Sequence, residues 1–388
     1  MDKKFSDSLL TTRIDSNIVD KDQIFISENL DDDFILALLS ANFDTLESVD
    51  EPLARKIIKN VRENGRLNFP ISNHEVFFCR SINNPVRMLK YLTFRYRFYL
   101  ASSEKRVFDA PPLLLLEPVS ACNLRCPMCF QVDKTFNRKP FMGIMKWDLF
   151  TRLVDESDEL GIGAITLASR GEPMMHPNFG EMLVYVAAKK NIFELKINTN
   201  ATFLTEELCH KIFESGVSTA VISADHYEKE SYEELRKGAD FEKIVLNVAM
   251  LHDIREKHYP DSFTEIRVSG IDYYKNLDRQ KFAEFWAKHS DSVSASFPME
   301  RWDTYNNEPH ENINSPCSFL WDRMYVWFDG ICNPCDEDYK SYVSYGNIKD
   351  STIKEIWNSA ALFELRQKHL NKERNSITPC DRCGIDFC

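Results

Sequence analysis

The stretch Cys122-Asn123-Leu124-Arg125-Cys126-Pro127-Met128-Cys129 decides the reading of this chain. Three thiols fall within eight residues, at spacing C-x3-C-x2-C. Thiolates are soft ligands that favour iron–sulfur clusters, zinc and copper(I). A tetrahedral zinc or a fully protein-ligated cubane needs four ligands, so this loop is one short. On a cubane the shortfall leaves one iron open to a substrate or cofactor. Immediately upstream, Leu113-Leu114-Leu115-Leu116 is an apolar run that predicts a buried strand. The cysteines therefore follow the end of a first strand.

Working outward, strand and helix patterns alternate regularly. Strands are predicted over 112–117, 164–169, 193–198, 217–223, 264–269 and 292–297. Helices are predicted over about 147–160, 178–190, 205–215, 241–258 and 278–289. The third has Thr205 as N-cap, Glu206 and Glu207 in its first turn and Gly216 as its stop. Such alternation implies parallel βαβ units with right-handed crossovers. Six units are too few for a full eight-unit barrel, in which chemistry collects at the C-terminal strand ends.

Residues 1–108 form a distinct, mainly helical region, 109–300 the alternating region, and 301–388 a small cysteine-rich domain. In the first, Asp31-Asp32-Asp33 precede a helix beginning at Phe34. A second helix has Asp50 as expected N-cap, Pro52 in its first turn and Gly65 as stop. A third starts at Asn84-Pro85 and runs to about Ala101. The stretch 80–106 is basic and aromatic, with Arg80, Arg87, Lys90, Arg95, Arg97, Lys105 and Arg106. Either it packs on the next domain with its charges in water, or it makes a peripheral contact with a membrane surface or anionic partner.

Over all 388 residues, 48 Lys and Arg stand against 60 Asp and Glu, a net charge of −12. That balance argues against nucleic-acid binding. No apolar run is long enough for a transmembrane segment, and the start lacks a secretory h-region. The cysteines number eleven. Their C-x2-C pairs in a chain this large indicate metal binding in a reducing, cytoplasmic setting rather than a secreted disulfide framework.

With its position after a first strand, Cys122-x3-Cys126-x2-Cys129 resembles the signature of the radical S-adenosylmethionine (SAM) enzymes. The position before the last cysteine is often aromatic in that family; here it is Met128. The resemblance implies an open (β/α)6 partial TIM-like barrel. It implies a [4Fe–4S] cluster on Cys122, Cys126 and Cys129 whose open iron takes the amino and carboxylate groups of SAM. Reductive cleavage then gives a 5′-deoxyadenosyl radical, with electrons from a donor such as flavodoxin or ferredoxin.

Further strings carry the resemblance. Ser169-Arg170-Gly171-Glu172-Pro173 is similar to the family's GGEP motif, with Arg170 in place of the first glycine. It implies that Gly171 and Glu172 engage the SAM amino group. Asn198-Thr199-Asn200-Ala201-Thr202 resembles the TNGT segment, with Ala201 replacing glycine, and places Asn200 at the cofactor. Ser223 at the end of strand four and Arg236 in the loop after it match the residues that hold the SAM carboxylate and ribose. A surface ion pair of Arg236 with Glu233 or Glu234 is the competing reading.

The C-terminal cysteines resemble the SPASM and twitch extensions, through Cys317-x12-Gly330-x4-Cys335, Tyr345-Gly346-Asn347-Ile348 and Ile353–Trp357. These extensions hold auxiliary iron–sulfur clusters. The count favours one auxiliary [4Fe–4S] cluster on Cys317, Cys335, Cys380 and Cys383, with Cys332 and Cys388 unassigned. A four-cysteine zinc knuckle is the alternative. Asp336 follows a ligand cysteine, where sulfatase-maturing relatives carry a proposed base; a solvated acidic loop is the plainer reading.

The expectation is a radical SAM oxidoreductase or maturase that abstracts hydrogen from a substrate and oxidises or cross-links it. Peptide or protein maturation comes first. A dehydrogenase or epimerase of a sugar or cyclitol-type small molecule comes second, and a zinc-binding structural or interaction protein third.

Overall fold

A computed structural model of the chain describes residues 33–297, 303–310 and 313–383. Asp31, Asp32 and Cys388 lie outside the described residues. Its frame is a nine-stranded sheet in the order β6-β5-β4-β3-β2-β1-β7-β8-β9. The first six strands are β1 (Leu113–Leu116), β2 (Ala164–Leu167), β3 (Glu194–Thr199), β4 (Thr219–Ser223), β5 (Glu265–Ile271) and β6 (Ser292–Ser296). Each is parallel to its neighbour, as the alternating pattern predicts. Helices Trp147–Leu160, Phe179–Ala187, Glu206–Glu214, Phe241–His258 and Arg279–Trp286 form the connections. A further short helix, Lys229–Leu235, lies in the loop after β4. The partial barrel is as expected, and within the expected helical region the described residues from 33 to 104 form helices.

Side chains alternate across the strands with the period-2 pleat. Leu114, Leu116, Ile165, Leu167, Leu195 and Ile197 belong to the main core. The opposite, inner face is polar: Thr166, Lys196, Asn198, Ser223, Arg267 and Ser269 occupy the intervening positions. A barrel whose inner face is polar is suited to holding a polar ligand rather than to packing shut.

The C-terminal segment joins this sheet. β7 (Arg323–Val326) lies parallel to β1 on the side away from β2, with Leu115 opposite Tyr325. β8 (Ile331–Asn333) and β9 (Gly346–Asn347) follow antiparallel. The sequence offered only short apolar-polar strings here, which carry no periodicity strong enough to assign a barrel neighbour. Helix Ile353–Trp357 is fixed to the barrel from outside: Glu156 accepts from Ile353 N, and Trp357 Nε1 donates to Phe108 O at 2.9 Å.

The N-terminal helices close the barrel's lower end. Helix Pro52–Asn64 stops at Gly65 (φ 63°), and its N-cap is Glu51 rather than Asp50, accepting from Ala54 N at 2.6 Å. Asp50 instead pairs with Arg55. Helix Asn73–Arg80 opens on a capping box of Ser72 and Glu75. The basic-aromatic stretch forms helix Pro85–Glu104, and its aromatic side is core: Tyr91, Phe94 and Phe98 are buried. Tyr91 donates to Glu194 at the foot of β3 (2.8 Å), and Arg95 pairs with both Glu194 and Glu75. The aromatic surface a membrane would need is thus spent on the barrel, and Arg95 is buried rather than in water. Among the described residues no helix is long and apolar enough to cross a membrane.

Candidate metal centres

The cysteine loop is held from three sides. Ser120 N and Gly143 O hydrogen-bond at 3.1 Å before it, and Arg125 N donates to Lys237 O at 2.9 Å across to the loop after β4. Leu124, Cys126, Met128 and Leu235 bury themselves together, with Cys122 and Cys129 half-buried beside them. Met128 therefore fills an apolar slot, which an adaptable thioether can do as an aromatic would. Burial pushes the Cys122 thiol up to about 11 and raises Cys126 too, against the lowering charge of Arg236. Leu124 N donates to Cys122 Sγ at 3.4 Å, a bond that suits a thiolate.

Gly171, Glu172 and Asn200 converge on this loop. A Cβ on Gly171 would lie 2.3 Å from both Ala121 O and Val119 O. The glycine thus lets the turn after β2 stack on the backbone leading to Cys122. Glu172, 2% exposed, accepts from Asn200 N (2.7 Å), Thr199 Oγ1 (2.7 Å) and Met174 N (3.1 Å). Burial raises its carboxyl to about 7 despite these donors. Asn200 Nδ2 donates to Asn123 Oδ1 at 3.0 Å and lies 3.7 Å from Cys122 Sγ. Ala201, where the TNGT string has glycine, adopts φ 60°, a left-handed conformation that costs a non-glycine residue about 1 kcal/mol.

Ser223 ends β4 opposite Ser269. Arg236 makes no pair with Glu233 or Glu234. Its guanidinium is held by Asp225 (Nη2 to Oδ1 2.9 Å, Nε to Oδ2 2.5 Å), and its charge lowers the Cys126 thiol against the effect of burial. Asp225 is buried and also accepts from Ile271 N at 2.9 Å. A SAM carboxylate would have to share Arg236 with Asp225. The sequence shows Asp225 two residues past Ser223, but only the turn of the chain brings it to Arg236.

The second cysteine set gathers on the inner side of β7. Cys317, Cys335 and Cys383 pack with Leu115, Phe319, Tyr325 and Trp327. Cys335 feels the charges of Cys380, Cys383 and Cys317, and burial carries its thiol well above the ordinary range. Cys332 points elsewhere: it is 0% exposed in the main core and its thiol donates to Gly330 O. Adjacent strand residues face opposite ways, so a C-x2-C pair begun inside a strand sends its first thiol into the packing. Asp336 is half-buried beside Cys335. Asp338 is engaged by Tyr305 OH (2.8 Å), Tyr342 N (2.8 Å) and Val343 N (2.9 Å). It is a structural knot.

Both donor sets offer the thiolates that iron–sulfur clusters take, three at the first site and four at the second. Sulfurs on one tetrahedral zinc stand about 3.8 Å apart, from its 2.3 Å bonds. Among the described residues, the ligand atoms drawn within 4.8 Å of one another belong to Glu233, Asp240 and Glu242, not to either cysteine set.

Arg170 was noticed in the sequence only as a departure from GGEP, and it is the hub between the two centres. Its guanidinium grips Glu117 at the end of β1 (2.6 and 2.5 Å), donates to Tyr339 O at 2.9 Å and lies 4.2 Å from the Trp327 ring. Gln131 Nε2 donates to both Ser120 O and Arg170 O. An aromatic cluster of Phe130, Phe136, Tyr305 and Tyr339 fills the remaining joint beside Cys129.

A parallel partial barrel with three thiols after its first strand, and a second thiol set packed against an added hairpin, defines an iron–sulfur enzyme class that binds a small cofactor at the open iron. The chain belongs to the radical SAM superfamily: the model of that superfamily matches residues 116–284, and that of the SPASM iron–sulfur cluster-binding domain matches 317–384. It is 38% identical to the tungsten-containing aldehyde ferredoxin oxidoreductase cofactor-modifying protein of Pyrococcus furiosus, over 71% of this chain and 88% of that one. To the PqqA peptide cyclase of Gluconobacter oxydans it is 24% identical, over 66% and 79%. The fold is shared with Streptococcus suis SuiB bound to precursor peptide SuiA (TM-score 0.57, 13% identity, 93% of each chain). The protein is an enzyme that uses SAM and [4Fe–4S] clusters.

Proposed function

We propose that this enzyme oxidises or cross-links a C–H centre in a peptide or protein substrate, at a site between the two cysteine sets. The observation that carries this reading is the continuous sheet. Because β7 pairs with β1, the loop after β1 and the thiols packed on Tyr325 and Trp327 belong to one rigid frame. The sheet is open, with β6 and β9 at its edges, and an open side admits a substrate that is part of a longer chain.

In this reading Cys122, Cys126 and Cys129 hold the SAM cluster, and Cys317, Cys335, Cys380 and Cys383 hold one auxiliary cluster. When bound, the cofactors supply hydrogen-atom abstraction and a centre that accepts an electron. Asn200 and Glu172 brace the Cys122 side and Arg236 the Cys126 side; Gly171 keeps the loop seated. Asn200, Ser223 and Arg236 would hold SAM, with Glu172 toward its amino group. Asp336 accepts the proton that the substrate loses on oxidation. The buried, apolar setting of Leu124 and Met128 keeps water from the radical. A flavodoxin- or ferredoxin-type donor supplies the electron for SAM cleavage.

A second reading, oxidation of a small molecule, is favoured by the N-terminal region: residues 33–104 fold as helices that close the barrel floor, with no strand to pair a peptide. The test is one anaerobic turnover with a candidate substrate, read by mass spectrometry. Loss of two hydrogens from a peptide, absent in Asp336→Asn protein that still cleaves SAM, supports the first reading. SAM cleavage with every peptide left unchanged, and a small molecule oxidised instead, refutes it.

A further inference from the structure

The loop that follows Cys129 carries charge of the sign opposite to the chain's. The net charge of the chain is −12, yet this loop presents Lys134, Arg138 and Lys139 to solvent. Its one acid, Asp133, is taken by Lys340 at 2.6 Å. Among the described residues the three cations form no ion pair.

The other side of the loop is sealed. Phe136 is 0% exposed, packed on Phe130 and Tyr339, with the Arg170 guanidinium 5.4 Å from its ring. Gln131 and Asp133 are buried, and Asn137 Nδ2 donates to Gln131 O. Successive turns pin the backbone: Val132 N to Cys129 O at 3.1 Å, Phe136 N to Asp133 O at 3.1 Å and Phe141 N to Arg138 O at 2.9 Å. The cations therefore stand on the outer side of a packed wall. The backbone that carries them is already ordered, which lowers the cost of binding a partner. Lys134 follows Cys129 by five residues, at most about 18 Å of extended chain, and the turns shorten that.

An acidic protein approaching a chain of net charge −12 is repelled except where positive charge is local. Such a patch raises encounter rates by about 10- to 1,000-fold. We propose that Lys134, Arg138 and Lys139 are the docking patch for an acidic one-electron carrier protein of the flavodoxin or ferredoxin kind. The encounter moves one electron from the reduced carrier to the first site and transfers no atom. An acidic peptide substrate fits the patch less well, because the wall of Phe130, Phe136 and Tyr339 separates the cations from the space between the two cysteine sets. The proposal rests on the reading that Cys122, Cys126 and Cys129 hold the SAM cluster.

The test uses the full chain, reconstituted anaerobically, as wild type and two triple variants. The patch variant is Lys134→Glu, Arg138→Glu, Lys139→Glu. The control is Lys56→Glu, Lys59→Glu, Lys90→Glu, on the helices at the barrel's other end. Binding of an oxidised flavodoxin and an oxidised ferredoxin, both acidic, is measured by calorimetry at about 50 mM salt, where screening is weak. Formation of 5′-deoxyadenosine is then driven by the reduced carriers or by a small neutral reductant, photoreduced deazariboflavin. The patch variant is expected to bind carrier at least tenfold more weakly and to lose carrier-driven cleavage to match. Its deazariboflavin-driven rate stays at the wild-type level, and the control is unchanged throughout. At about 0.5 M salt wild type falls to the level of the patch variant. Unaltered binding in the patch variant, equal weakening in the control, no binding of either carrier to wild type, or loss of the deazariboflavin-driven rate in the patch variant overturns the docking role. A polyglutamate peptide bound at the patch in place of both carriers assigns it to an acidic substrate and overturns the role as well. Wild type that binds a carrier yet forms no 5′-deoxyadenosine with deazariboflavin refutes the cysteine reading, while the binding result still decides the patch.

Discussion

Arg170→Met tests whether the barrel and the C-terminal hairpin are one mechanical body. The Arg170 side chain is 2% exposed and its partner Glu117 is 0% exposed. Methionine would fill much of the space beside Trp327 but would remove both bonds to the Glu117 carboxylate and the one to Tyr339 O. Glu117 would keep the bond from Phe328 N at 3.1 Å. Breaking a buried ion pair from one side costs about 3–5 kcal/mol, chiefly through the charge left behind. Adding Glu117→Gln removes that charge, so the double variant should recover about 2 kcal/mol relative to the sum of the singles. Urea unfolding of anaerobically prepared protein, followed by tryptophan fluorescence, measures both quantities. Arg170→Met within about 0.5 kcal/mol of wild type, or strict additivity in the double variant, would refute the clasp.

Three further outcomes are expected. Gly171→Ala places a methyl 2.3 Å from two carbonyl oxygens of the cysteine loop's lead-in; it should cost about 1–3 kcal/mol and reduce iron bound at the first site while leaving the auxiliary iron, and normal loading would contradict the packing role. Cys126→Ala should abolish SAM cleavage, whereas Cys380→Ala should retain some uncoupled cleavage and lose product; equal loss of 5′-deoxyadenosine in both would contradict the division of roles. Asp133 is pushed upward by burial, but its bonds from Lys340 and Thr135 win and hold it at about 2. A depressed carboxyl contributes stability that is present above its unfolded pKa and lost as pH falls through about 2. Asp133→Asn should therefore cost about 1–2 kcal/mol at neutral pH and nothing at the acid end of that window, as unfolding midpoints across pH would report.

The order of elements was legible because it rests on local signals. Apolar runs of four to six residues, bounded by a capped helix such as Thr205 to Gly216, need no distant partner to be read. The cysteine spacing was legible for the same reason, since three ligands of one cluster lie on one loop. Cys332 was ambiguous because spacing says nothing about which way a strand residue faces. Arg170 looked like a lapse in a motif; its partners Glu117, Tyr339 and Trp327 come from three separate parts of the chain. Arg236 was read toward a ligand; the fold adds Asp225 beside it, a partner its sequence position does not reveal.

By itself, then, the sequence determined the chemistry on offer: a thiol loop after a strand, six alternating units and a second thiol set near the end. Only the tertiary structure decided how these are joined. Pairing of β7 with β1 makes one sheet of two regions, because backbone hydrogen bonds along β1 are left open on that side and Arg323–Val326 supplies them. Closure of the barrel floor by Tyr91 and Arg95 on Glu194, and the clasp of Arg170 on Glu117 and Tyr339, arise in the same way. Each joins residues far apart in the chain, and the low dielectric of the interior, which no local pattern encodes, sets its strength.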